Sequence, residues 1–253
     1  MNDLVETLRA AGCVFAEDEA RVLREAAGTP AQLAAMTTRR VAGEPLEHVV
    51  GAVEFAGRRW AVAPGVFVPR QRSELLVRTA VAAGREETPV VLDLCCGCGA
   101  LGAATVAALP GARLVAADLD PVAVACARHN VEPLGGRVFT GDLFAPLPAE
   151  LRGTVTILLA NVPYVPTDEV ALMPPEAREH EPRFALDGGP DGLDLLRRVA
   201  AGAGDWLAPG GLLLTETGER QAPAAAAILA GAGLHPEIVP DDDLGATAVV
   251  ARR

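Results

Sequence analysis

Four consecutive residues, Asn161-Val162-Pro163-Tyr164, have the groups needed to hold an NH₂ nitrogen. The asparagine side-chain oxygen and a neighbouring backbone carbonyl, here that of Val162, can each accept one N–H. Two acceptors fix the direction of the nitrogen lone pair. A nitrogen conjugated to a π system is a poor nucleophile because that pair is delocalised, so orientation and electrostatics are what a protein can contribute. The ring of Tyr164 can pack over a planar amide. No strong base is required if the proton leaves last. Asn161, Val162, Pro163 and Tyr164 are therefore the candidate catalytic residues. Alone, Asn-x-Pro-Tyr reads equally well as a strand ending in a proline turn.

A second group could bind a nucleoside-like ligand. Asp93-Leu94-Cys95-Cys96-Gly97-Cys98-Gly99 ends an apolar run in small residues, which lets backbone pass close to a ligand. Asp118 follows about twenty residues later and can accept both hydroxyl protons of a ribose. Asp142 is placed to accept from an adenine amino group or to border the ring. Expected cofactor contacts are Asp93, Cys95, Cys96, Gly97, Cys98, Gly99, Asp118, Leu119, Asp142, Leu143 and Asn161. Gly97, Gly99 and Gly102 also satisfy G-x-G-x-x-G, so a nicotinamide dinucleotide competes with a sulfonium cofactor. Asp93 at the loop entrance would repel a pyrophosphate and suits a cationic methionine end. The motif also lies behind a separate helical segment and leaves little chain for a second mononucleotide half. S-adenosylmethionine is the expected cofactor. Cys95, Cys96 and Cys98 are spaced too tightly for tetrahedral zinc, and no metal is expected.

These residues need a scaffold. From Pro89 the chain alternates strand and helix, the pattern of a parallel sheet covered on both faces. Strands are expected at Val90 to Cys95, Arg113 to Asp118, Arg137 to Asp142, Val155 to Ala160 and Gly211 to Glu216. Helices are expected at Gly99 to Leu109, Pro121 to Val131 and Gln221 to Ala232. Ile238 and Ala246 to Ala251 supply two last strands. Residues 1–45 read as a helical segment, with Thr29 capping a helix that starts at Pro30. Residues 46–70 read as a hairpin and hinge, with strands at His48 to Phe55 and Arg59 to Val62 around Ala56-Gly57. Residues 71–253, opening on a helix from Ser73 to about Ala83, form the catalytic domain.

Half of the chain is hydrophobic and all 22 basic residues are arginine, a bias of GC-rich coding. The net charge of −11 disfavours nucleic acid as a partner, because duplex affinity comes mostly from neutralised phosphates. The opening residues do not read as a signal peptide, and no long uncharged apolar run suggests a membrane span. A cytoplasmic monomer with reduced thiols is the expectation for its five cysteines.

With these residues in place, the chain resembles the HemK-like protein glutamine methyltransferases. Asn161 to Tyr164 resembles the Asn-Pro-Pro-Tyr signature of enzymes that methylate amino or amide nitrogens. Gly43-Glu44-Pro45, Val66 to Arg70 and Glu74 to Val77 are similar to that family's hairpin and its Pro-Arg-x-x-Thr-Glu element. Gly141-Asp142-Leu143-Phe144, His180-Glu181-Pro182, Ala185 to Gly189 and Asp191-Gly192-Leu193 match it further. The resemblance implies an α/β, Rossmann-like, class I methyltransferase with a seven-stranded, mostly parallel sheet behind a small helical domain and a hairpin. It implies methyl transfer from S-adenosylmethionine to the Gln of the Gly-Gly-Gln loop of a peptide-chain release factor. A nucleic-acid amino group or a small-molecule nitrogen is the alternative acceptor. The chain departs from the pattern at Cys95, which replaces a glycine, and at Val162, which replaces a proline. It departs again at Gln71-Arg72, where Pro-Glu or Pro-Asp is usual, giving it the look of a divergent actinobacterial-type paralogue.

Overall fold

The computed structural model describes residues 2–84 and 87–253. Its first three helices are α1 (Asn2–Ala10), α2 (Ala16–Ala26) and α3 (Pro30–Val41). They close on Leu8, Ala16, Ala20 and Leu23, all fully buried. Thr29 Oγ accepts from the Gln32 N–H at 3.2 Å, so the cap in front of Pro30 forms as expected. Buried charge ties this lobe together and to the rest. The Arg40 guanidinium binds both Glu19 oxygens, at 2.5 and 3.0 Å, and reaches Glu176 at 2.7 Å.

The stretch expected as strand from His48 begins instead as a one-turn helix, α4 (Leu46–Val50), stopped by Gly51 at φ +73°. Helix lets Val49 enter the core of the first three helices while His48 Nε2 pairs with the Val66 carbonyl at 2.8 Å. A strand would have placed these neighbours on opposite faces. Strands β1 (Ala52–Phe55) and β2 (Arg58–Ala61) then pair antiparallel across Ala56-Gly57. Both turn residues have positive φ, as a two-residue hairpin turn matched to strand twist requires. Val53, Phe55 and Trp60 turn inward onto the sheet's own core.

After α5 (Glu74–Ala83) comes the sheet: β3 (Val90–Leu94), β4 (Arg113–Asp118), β5 (Arg137–Thr140), β6 (Val155–Ala160), β7 (Leu207–Glu216), β8 (His235–Asp241) and β9 (Ala246–Arg252). Its order is β5-β4-β3-β6-β7-β9-β8, with β3 to β7 parallel and β9 antiparallel to both neighbours. The chain leaves β3 toward β4 on one side and returns beside it as β6 on the other. That reversal opens a crevice past the carboxyl ends of β3 and β6.

Helices α6 (Ala100–Ala108) and α7 (Pro121–Val131) cover one face with α5. The short α8 (Pro175–His180) follows β6. Helices α9 (Asp194–Trp206) and α10 (Ala222–Gly231) pack on the other face, and α9 is absent from the elements expected above. Its signal is nonetheless in the chain: Leu196, Val199, Ala200, Ala203 and Trp206 recur at helical spacing and are buried.

Candidate active site

A cavity of about 440 Å³ occupies that crevice. On its wall stand Cys95 and Gly97 from the turn after β3, Asp118 and Leu119 from the end of β4, and Asp142 and Leu143 from beyond β5. Asn161, Val162, Pro163 and Tyr164 line it from the end of β6. The two residue groups read separately from sequence thus share one cavity. Strand ends bring them there, because parallel strands deliver all their carboxyl termini to the same edge.

The turn after β3 is built by backbone geometry. Cys95, Gly97 and Gly99 all have positive φ, and the Gly97 N–H donates to Asp118 at 2.8 Å. Cys95 keeps this left-handed conformation at a cost glycine would not bear, of about 1 kcal/mol. The glycines differ in what they permit. A Cβ on Gly99 would lie 2.9 Å from Val131 of α7, and one on Gly102 would lie 2.8 Å from Asp93 and from Leu114. Those two glycines let α6 settle against its neighbours, while Gly97 faces the cavity.

Four expected contacts sit elsewhere. Gly99, Cys96 and Cys98 are off the cavity wall, and the two thiols are buried beneath the turn. Burial pushes Cys98 up to about 12 and Cys96 well above its ordinary range, so both are neutral packing groups. Asp93, expected at the loop entrance, is also off the wall and 1 % exposed. It accepts from the Gly102 N–H at 2.9 Å and so anchors the first turn of α6, whose free N–H groups attract a carboxylate. Burial raises its carboxyl to about 7, against the pull of that hydrogen bond.

Asp118 stays at the cavity. Its Oδ1 accepts from the Asp120 N–H and its Oδ2 from the Gly97 N–H, both leaving lone pairs for hydroxyls. Burial raises its carboxyl, with those backbone donors opposing. Asp142 pairs with Arg198 of α9 at 2.5 Å, a partner invisible without that helix. A strand-end carboxylate, a glycine turn open to close approach and apolar Leu119 and Leu143 suit a ribose-bearing ligand with a flat base.

At the acceptor end the structure adds three residues. Asn161 Nδ2 donates to Ser73 Oγ at 3.2 Å, and Ser73 Oγ donates to Glu216 Oε2 at 2.5 Å. Tyr164 donates to Glu216 Oε1 at 2.5 Å, and Arg72 donates to both Glu216 and Tyr164, at 2.7 and 2.8 Å. Burial and the adjacent Glu216 carboxylate push the Tyr164 phenol up, so it remains a donor. Glu216 is 4 % exposed and ends the apolar strand β7. A lone carboxylate closing a buried run is the sequence signal that could have pointed to it.

The family model "Methyltransferase small domain" matches residues 61–172. A release factor glutamine methyltransferase of Geobacter sulfurreducens is 37% identical over 88% of this chain and 79% of its own length. The chain belongs to the release factor glutamine methyltransferase family. A second such relative, from Bordetella pertussis, is 41% identical over 79% of this chain and 74% of its own. A 4-amino-L-phenylalanine/4-methylamino-L-phenylalanine methyltransferase of Streptomyces pristinaespiralis is 38% identical over 77% and 68%. Among solved structures, the ribosomal protein L11 methylase of Lactobacillus delbrueckii subsp. bulgaricus shares the fold at TM-score 0.55 and 15% identity, covering 76% of this chain and 83% of its own. The chain is therefore a methyltransferase with the Rossmann-like, seven-stranded fold of the S-adenosylmethionine-dependent class. Among the described residues no helix is long and apolar enough to cross a membrane.

Proposed function

We propose that this family member moves a methyl group from S-adenosylmethionine to the side-chain amide nitrogen of a protein glutamine, in the Gly-Gly-Gln loop of a peptide-chain release factor. One observation carries the reading: Asn161 and Val162 line the same cavity as Gly97 and Asp118. The bound cofactor supplies a methyl carbon on a cationic sulfur. Asp118 accepts from its ribose hydroxyls, and the Gly97 turn and Leu143 border the remainder. Asn161 Oδ1 and the Val162 carbonyl each accept one N–H of the glutamine amide, aiming its lone pair at the methyl carbon. Pro163 restrains Val162 to extended backbone, which keeps that carbonyl directed. The N–C bond forms as the S–C bond breaks, and the amide proton then passes to solvent. Tyr164 flanks the planar amide. The net charge of −11 argues for a protein over a nucleic-acid acceptor.

The test is mass spectrometry of a release factor after incubation with enzyme and methyl-labelled cofactor. One methyl on the loop glutamine is expected, with none on a Gln→Glu release factor. Asn161→Ala should lower kcat by about a hundredfold or more, the loss typical of one preorganised polar contact. No label on the release factor, with cofactor bound, rejects the substrate assignment. A second acceptor belongs in that assay: the Streptomyces relative is named for an aminophenylalanine, and Arg72 on the cavity wall could meet a free carboxylate. Transfer to that amine alone would replace the glutamine reading.

A further inference from the structure

Two buried polar side chains beside the cavity, Ser73 and Glu216, have no part in the proposed chemistry. Ser73 is 2 % exposed, and neither residue lines the cavity. Their hydrogen bonds have only one consistent direction. Arg72 has donors alone, so Tyr164 oxygen and Glu216 Oε1 must accept from it. The single Tyr164 proton therefore goes to Glu216 Oε1. The Glu216 carboxylate only accepts, so the single Ser73 proton goes to Glu216 Oε2. Ser73 oxygen can then only accept from its third neighbour, Asn161.

From this chain of bonds we infer that Ser73 and Glu216 are positioning residues that fix which way the Asn161 amide faces, Nδ2 toward Ser73 and Oδ1 toward the methyl acceptor. The two ends of an asparagine amide have nearly the same shape, and only hydrogen-bond partners distinguish them. Reversed, Asn161 would present NH₂ to an incoming NH₂, donor against donor. Arg72, which departs from the acidic residue usual at this position, has its place in the same arrangement. It supplies the positive charge beside Glu216. The inference rests on the proposed acceptor chemistry and deepens it by naming what holds the acceptor group.

Glu216→Gln makes a distinctive prediction. Facing Arg72 and Tyr164, the glutamine must present its oxygen to them and turn its NH₂ to Ser73. The Ser73 proton is then free to go to Asn161, and the Asn161 amide loses its single enforced direction. Ser73→Ala removes the orienting acceptor, whereas Ser73→Thr retains it. Steady-state kinetics with a release factor should show kcat reduced about tenfold or more in Ser73→Ala and Glu216→Gln, with Ser73→Thr restoring most of it. S-adenosylhomocysteine affinity by calorimetry should stay within about twofold in all three, since a packing role alone would not separate binding from turnover. Wild-type kcat in Glu216→Gln or Ser73→Ala overturns the inference. A neutron structure of the deuterium-exchanged wild-type protein decides independently of folding in any variant and of the acceptor's identity. Deuterium on the Asn161 atom facing Ser73 supports it, and a bare oxygen there overturns it. If no release factor is methylated, the substrate reading falls and the neutron result still stands on its own.

Discussion

Asp93 shows how a single carboxylate changes meaning when its surroundings are known. By type and position it suits a cationic ligand, yet it is buried under the turn and bonded to the Gly102 N–H. Its folded-state proton is held more tightly than in the unfolded chain, up to about 7 against an ordinary 3.8. Linkage sets the sign. The folded state is favoured fully below about pH 4, and its advantage declines as pH rises to about 7, where the folded carboxyl ionises. The whole change is on the order of 4 kcal/mol. Asp93→Asn keeps an acceptor for the Gly102 N–H without the charge. Chemical denaturation of both proteins should show the variant gaining on wild type between about pH 4 and about pH 7. A constant difference across that range would mean that Asp93 ionises freely.

At the scale of elements, the first helices are bound to the loop after β6 by charge. Arg40 is held by Glu19 within the helical lobe and by Glu176 on α8, with its side chain 8 % exposed. Arg40→Ala strands Glu19 in a buried position and should cost about 3–5 kcal/mol of unfolding free energy. The measurement is a urea unfolding curve with unchanged slope; a loss below about 1 kcal/mol would class this contact with ordinary surface pairs. Parallel sheet elements were legible because strands buried on both faces are continuous apolar runs, and β4, β6 and α7 fall where the pattern puts them. Helices α4, α8 and α9 were not. At α4 a five-residue turn carries too little periodicity to compete with a β-branched run. At α9 the Gly-rich, Asp-rich approach masked the start of a helix that then supplies Arg198 to Asp142.

For the molecule as a whole, one cavity joins the ends of β3, β4, β5 and β6, so filling it should stabilise everything around it. Product cofactor at about a hundredfold its Kd should add about 2.7 kcal/mol, raising Tm by roughly 5–10 °C. Asp118→Ala removes the acceptor of the Gly97 and Asp120 N–H groups as well as the proposed hydroxyl contact. Its Tm should not respond to the same concentration. A full response, read by calorimetry, would remove Asp118 from the cofactor site.

The chain's order of residues already determined the sheet class, the glycine turn, the strand-end acids and the Asn-x-Pro-Tyr motif, because each is local: a run, a spacing or a tetrapeptide. Only tertiary structure decided which acids face the cavity and which side chains Asn161 meets. Ser73 lies 88 positions before Asn161 and 143 before Glu216. No short-range pattern links such residues; the sheet does, by ending β6 and β7 side by side and laying the start of α5 across them. Burial then sets their hydrogen-bond direction, since a carboxylate closed off from water accepts from whichever donors the fold brings to it.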